Sequence, residues 1–142
     1  GVGPLLLLAR ARGYVQVVGI EANPRWLVGL RRLYERIWPG TAPTLRLVPR
    51  GSFSLPALER PYDAIFIMGV FTGNGNRVPV DQAMELSLRR LREGGFLCFN
   101  IDPATYEQNS PDMFLAMLAQ RGFGSIRCHR KNREFIVSAR KL

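Results

Sequence analysis

The chain has 142 residues, 46% hydrophobic and 22% charged, with a mean hydropathy of −0.04; this is a globular composition and fits a single domain over 1–142. No apolar run reaches the ~18 residues a membrane span requires, and the run from Pro4 to Ala9 has arginines behind it and no basic segment ahead of it, which argues against a bacterial-type signal peptide. The formal charge is +9 with a pI near 10.7, which brings a nucleic-acid partner into consideration, but the cations are 18 Arg against 2 Lys and run the whole length, as on a solvated surface; only Arg127, Arg130, Lys131 and Arg133 are dense.

In chain order, Gly1-Val2-Gly3 is a loop and Pro4 suits the first turn of a helix, where its missing N–H would be unpaired anyway. That helix is predicted to run to about Arg12 and stop at Gly13, which tolerates a left-handed C-cap. Val15 to Glu21 is a β-branched run and reads as a buried strand. Asn23 as N-cap and Pro24 at the first helical position then start a second helix. Its apolar face is Trp26, Leu27, Leu30, Leu33, Tyr34 and Ile37, and Pro39-Gly40 ends it. Thr44 to Val48 is a brief strand, and Leu55 to Leu58 a candidate short helix.

Tyr62 to Val70 is the clearest buried strand, followed by a polar, glycine-rich loop from Phe71 to Pro79. Val80 to Arg92 is an amphipathic helix, Gly94-Gly95 a tight turn, and Phe96 to Ile101 another buried strand. Pro111 to Arg121 is a helix with Asp112 in its first turn. Phe123 to Cys128 and Glu134 to Ala139 close the chain as a strand pair around Lys131-Asn132. Strand–helix alternation with a terminal hairpin predicts an α/β fold, Rossmann-like, with a mostly parallel sheet and one antiparallel hairpin. Cys98 and Cys128, both in strand-like segments and without metal-ligand spacing, read as small core hydrophobes of a reduced, cytoplasmic protein. No metal is expected.

A glycine-rich turn opening a helix, followed some 20 residues on by an acid at a strand end, is a nucleotide-binding arrangement. The glycines let a ligand approach the backbone, and the acid accepts hydrogen bonds from ribose hydroxyls. Here these are Gly1, Gly3 and Glu21. As an ensemble, GVGPLLLLARARGYVQVVGIEANPR resembles the first two motifs of class I S-adenosylmethionine-dependent methyltransferases. YDAIFIMGVF resembles that family's fourth strand, and LRRLREGGFLCFNI its turn into the fifth. The resemblance covers nearly the whole chain and implies S-adenosyl-L-methionine as cofactor. It assigns to cofactor binding Gly1 and Gly3, the ribose acid Glu21 with Ala22 and Asn23 on its rim, Ser52 and Phe53 at the adenine, and Met68 at the end of the fourth strand. GVFTGNGNRVPVDQAMELSLRRLREGGFLCFNI is also similar to the methyltransferase-like proteins of the Williams–Beuren-region type.

Two departures stand out. The family's first strand, at the centre of its sheet, has no counterpart here, and the chain begins at Gly1; the expectation is that residues ahead of it, or another chain, supply that strand. Self-association is one way to do so. Where many members carry an adenine-binding acid, this chain reads Arg50-Gly51-Ser52-Phe53. The N-P-P-Y motif of amide and adenine methylation is replaced by Met68-Gly69-Val70-Phe71, which argues against that chemistry. Thr72, Asn74, Asn76 and Tyr106 are candidate acceptor-side groups, each also an ordinary loop residue; His129 reads as structural or exposed, and Asp63 as shaping the cofactor-site wall or a turn rather than as a catalyst. The expected activity is methyl transfer to a small molecule. The alternatives are a non-catalytic scaffold or cofactor-binding module, and a nucleic-acid methyltransferase.

Overall fold

The computed structural model describes residues 3–40, 43–71, 78–102 and 111–142. Ten elements follow in order: α1 (Gly3–Ala11), β1 (Val18–Glu21), α2 (Pro24–Ile37), β2 (Thr44–Leu47), β3 (Tyr62–Phe71), α3 (Val80–Arg90), β4 (Leu91–Ile101), α4 (Pro111–Gln120), β5 (Phe123–Lys131) and β6 (Glu134–Lys141). They fall into two compact units, residues 1–50 and 51–142. Among the described residues, no helix is long and apolar enough to cross a membrane.

In the first unit β1 and β2 pair in parallel, with Val18 opposite Thr44 and Glu21 opposite Leu47. Helix α1 ends as its glycine predicts, with Gly13 at φ +86°. The strand begins later than expected. Arg10 Nη1 donates to the carbonyls of Tyr14 (3.1 Å) and Val15 (2.7 Å), and Val15 is exposed, so the backbone there is drawn to a side chain rather than to a sheet. At α2 the cap forms as predicted: Asn23 Oδ1 accepts from the Arg25 N–H at 3.0 Å, and Pro24 takes the first turn. The small core holds Leu6, Leu27, Tyr34 and Leu45. Gly19 lies against it. A Cβ there would lie 2.7 Å from both Leu45 Cδ2 and Leu6 Cδ1, so a side chain at this position would have to displace those leucine ends. The expected apolar face of α2 is only partly buried: Trp26 is 59% exposed, and Leu33 and Ile37 are also exposed, while Trp38 stacks on Tyr34 with ring centroids 6.0 Å apart.

The second unit is a four-stranded sheet in the order β3-β4-β6-β5. β3 and β4 are parallel, and β6 runs antiparallel to both of its neighbours, β4 and β5. Alternation along the strands sends Ile65, Ile67, Leu97, Phe99 and Val137 to one face, where Met84 of α3 and Phe114 and Leu118 of α4 cover them. Phe71 meets Phe99 edge-on at 5.8 Å and 87°. Arg121 after α4 pairs with Asp81 on α3 at 2.9 Å. The opposite face carries Phe66 and Phe96, 5.8 Å apart, with the Arg140 guanidinium over the Phe96 ring. Leu55 to Leu58 is not helical: Pro56 interrupts it, and its carbonyl accepts from the Tyr62 hydroxyl at 2.9 Å. Cys98 is half-buried as expected, whereas Cys128 is exposed on β5, which among the described residues pairs only with β6.

Candidate functional site

In the first unit the best-defined polar arrangement is centred on Glu21. The parallel strand β1 delivers this carboxylate to its carboxyl end, where α2 begins. Glu21 Oε1 accepts from the backbone N–H groups of Ala22 (2.8 Å) and Asn23 (2.9 Å), which fixes the carboxylate plane. Asn23 is in turn held by its own capping bond to Arg25. Glu21 is half-buried, so hydrogen bonds to it are sheltered from water. Its Oε2 takes no hydrogen bond from the described residues, leaving an oriented, anionic acceptor of the kind that suits vicinal hydroxyl groups. The structure therefore brings Glu21, Ala22 and Asn23 into one hydrogen-bonded group.

Gly3 is not part of that group. Its partners are on the middle and far end of α2: Leu30 Cδ2 would lie 3.6 Å from a Cβ at Gly3, and the Tyr34 hydroxyl donates to the Gly3 carbonyl at 2.7 Å. Tyr34 is fully buried, and burial pushes its phenol above the ordinary tyrosine range. Sequence patterning marks Tyr34 only as an apolar-face residue; its hydroxyl tether to Gly3 at the start of α1 has no sequence signal. Gly1 lies outside the described residues.

In the second unit the carboxyl ends of β3 and β4 carry an irregularity. Ile67 pairs with Phe99 and Phe71 with Ile101, so Met68, Gly69 and Val70 oppose the single residue Asn100. Gly69 takes φ +72° within this bulge. Asn100, nearly buried, fills the gap: its Oδ1 accepts from the Gly69 N–H at 2.6 Å and its Nδ2 donates to Glu134 Oε2 at 2.7 Å. Below it the Asp102 N–H donates to the Phe71 carbonyl at 3.0 Å and restores the ladder. Carboxyl ends of parallel strands are where open α/β sheets bind ligands, and bulges recur beside such sites. Asn100 and Glu134 escape sequence reading, although a lone amide inside the apolar run Phe96 to Ile101 is the signal that marks the first.

Met68 sits half-buried in the bulge, three residues before the end of β3. Phe53 is partly buried against the core of the second unit, and Ser52 precedes it, also half-buried. Asp63 accepts from Arg92 Nε at 2.6 Å on the surface. His129 is exposed on β5. Thr72, Asn74, Asn76 and Tyr106 lie outside the described residues. Among the described residues, no three His, Cys, Asp or Glu groups are placed to hold a metal.

No family model matches the chain. No curated protein matches it either. Solved structures do. The magnesium protoporphyrin IX methyltransferase of Synechocystis PCC 6803, determined with S-adenosylmethionine bound, is 18% identical over 100% of this chain and 66% of its own, with a TM-score of 0.68. An S-adenosylmethionine-dependent methyltransferase of Mesorhizobium loti is 15% identical over 99% of this chain and 88% of its own, with a TM-score of 0.76. A methyltransferase of Pyrococcus furiosus is 17% identical over 99% of this chain and 72% of its own, with a TM-score of 0.67. The chain thus spans just under two thirds of the Synechocystis protein's length. At these identities the likeness establishes the fold: a Rossmann-like α/β fold of the kind S-adenosylmethionine-dependent methyltransferases use.

Proposed function

We propose that this chain is the cofactor-binding part of an S-adenosylmethionine-dependent methyltransferase, its two units being halves of one domain. The observation that carries the reading is the Glu21 carboxylate, fixed at Oε1 by two backbone N–H groups and open at Oε2. In the first unit Glu21 takes the ribose hydroxyls, with Ala22 and Asn23 holding it in plane, and the glycines Gly1 and Gly3 admit the ligand to the backbone. In the second, Phe53 offers a ring to the adenine, Ser52 an acceptor, and Met68 lines the strand end. When bound, S-adenosylmethionine supplies a sulfonium methyl electrophilic enough that holding the nucleophile in line provides much of the acceleration. The chain's own task is then to bind, to orient, and to exclude water.

The acceptor in this reading is a small molecule, the setting is cytoplasmic, and the chain is of the Williams–Beuren-region type that its sequence resembles. A first strand comes from outside these 142 residues. Two facts support that last point: among the described residues β1 pairs only with β2, and β3 only with β4, so β1 and β3 each have one edge without a strand partner there.

Incubation with methyl-labelled S-adenosylmethionine and pools of small amines, phenols, thiols and RNA tests the reading. Label transferred to one pool, and lost in a Glu21→Ala variant, supports it. Cofactor retained by the protein with no transfer to any pool favours the scaffold instead.

A further inference from the structure

We infer that the β5–β6 hairpin is a contact surface for a single-stranded nucleic acid. Residues 123–142 contain six cations, Arg127, Arg130, Lys131, Arg133, Arg140 and Lys141, against the single acid Glu134. In a chain whose arginines are otherwise dispersed, this is a local excess of one sign, and the hairpin gives it a shape. Among the described residues β5 is an edge strand, paired only with β6, and Arg127 through Lys131 are all exposed. Side chains alternate along an extended strand, so Arg127, His129 and Lys131 share one face at intervals of roughly 6.6 Å, and Arg130 projects from the other. Asn132, at φ +59°, and Arg133 form the two-residue turn between Lys131 and its cross-strand partner Glu134, so Arg133 lies at the tip.

The four ion pairs of the described residues employ Arg89, Arg92, Arg121 and Lys141, and none employs Arg127, Arg130, Lys131 or Arg133. Arg130 reaches only the Asn132 carbonyl, at 3.4 Å. Among the described residues, these cations therefore hold no carboxylate that a ligand would have to displace.

Charges also guard an edge strand against pairing with another, but either sign serves that purpose. The single sign, carried on both faces and round the turn, is what an anionic partner explains. A line of cations along a straight strand fits a polymer of regularly spaced phosphates, and the guanidinium fork, three of the four dense cations, matches phosphate oxygens. A lipid surface is the poorer fit, because peripheral membrane elements dip apolar side chains between headgroups, and the tip Arg130-Lys131-Asn132-Arg133 has none. The inference concerns binding alone and does not depend on the cofactor reading.

The test is fluorescence anisotropy of a labelled single-stranded RNA about 16 nucleotides long, titrated with the full chain between about 50 and 200 mM salt. Arg127→Gln/Arg130→Gln/Lys131→Gln should weaken binding by about tenfold or more and flatten the slope of log K against log salt by about 2. Arg32→Gln/Arg36→Gln/Arg46→Gln, which removes the same charge from the first unit, should weaken it less than about twofold. Arg127→Lys/Arg130→Lys/Lys131→Arg, which keeps every charge, should bind within about threefold of the parent and so separates lost charge from lost folding. Equal losses in the two glutamine variants would assign the binding to dispersed arginine and overturn the inference. So would a parent chain that does not bind RNA, or hairpin-dependent binding that is tighter for phosphatidylserine vesicles or polyglutamate than for RNA.

Discussion

Asn100 donates to Glu134 across 2.7 Å and thereby ties the end of β4 to the start of β6, while its carbonyl oxygen holds the Gly69 N–H inside the β3 bulge. One nearly buried carboxamide thus satisfies groups on two neighbouring strands. Asn100→Leu leaves the Gly69 N–H and one carboxylate oxygen of Glu134 without that partner, and should cost about 1–3 kcal/mol in urea unfolding. A loss below about 0.5 kcal/mol would show that water replaces the amide at no cost.

Packing in the first unit turns on Gly19. Gly19→Ala forces a methyl against Leu6 and Leu45, both nearly buried, and should destabilise by about 1–3 kcal/mol. Leu6→Ala made in the Gly19→Ala background should cost less than it does alone, because the new methyl occupies part of the space the leucine vacates. Strict additivity in that double-mutant cycle would mean that Leu6 and residue 19 do not compete for the same volume.

Tyr34 makes a prediction in the alkaline range. Its phenol is raised by burial, so the folded state keeps a proton that the unfolded chain releases. The associated stability is complete below the ordinary tyrosine value near 10 and is lost as pH climbs from there through the higher folded value. Tyr34→Phe should therefore lower stability by about 0.5–1.5 kcal/mol at neutral pH, through loss of the bond to the Gly3 carbonyl. It should also flatten the alkaline decline. An unchanged decline would place the responsible group elsewhere.

What the sequence discloses is divided along a physical line. The Asn23-Pro24 cap and the Gly13 stop come out where local chemistry puts them, because each depends on two or three neighbouring residues. The strand from Tyr62 is likewise legible, since an unbroken apolar run bounded by turns has few alternatives. The start of β1 is not, because whether Val15 joins a sheet depends on a reach by Arg10 that no periodicity encodes. Trp26 and Ile37 carry the right spacing for a core face, yet the first unit is too small to cover so broad a stripe. At the candidate site, Glu21 was readable as an acid closing a β-branched run. The Asn100–Glu134 bridge was not, because it depends on a bulge two residues deep and on pairing between strands far apart in the chain.

The most direct test of the account is calorimetric binding of S-adenosylmethionine and S-adenosylhomocysteine, to this chain and to one extended upstream, with Glu21→Gln beside each. Glutamine keeps an oxygen for the Ala22 and Asn23 N–H groups but gives up the charged second acceptor. The account predicts binding of both ligands by the extended chain, weakened at least about tenfold by Glu21→Gln. Absence of binding in both forms, or binding indifferent to Glu21, would contradict it.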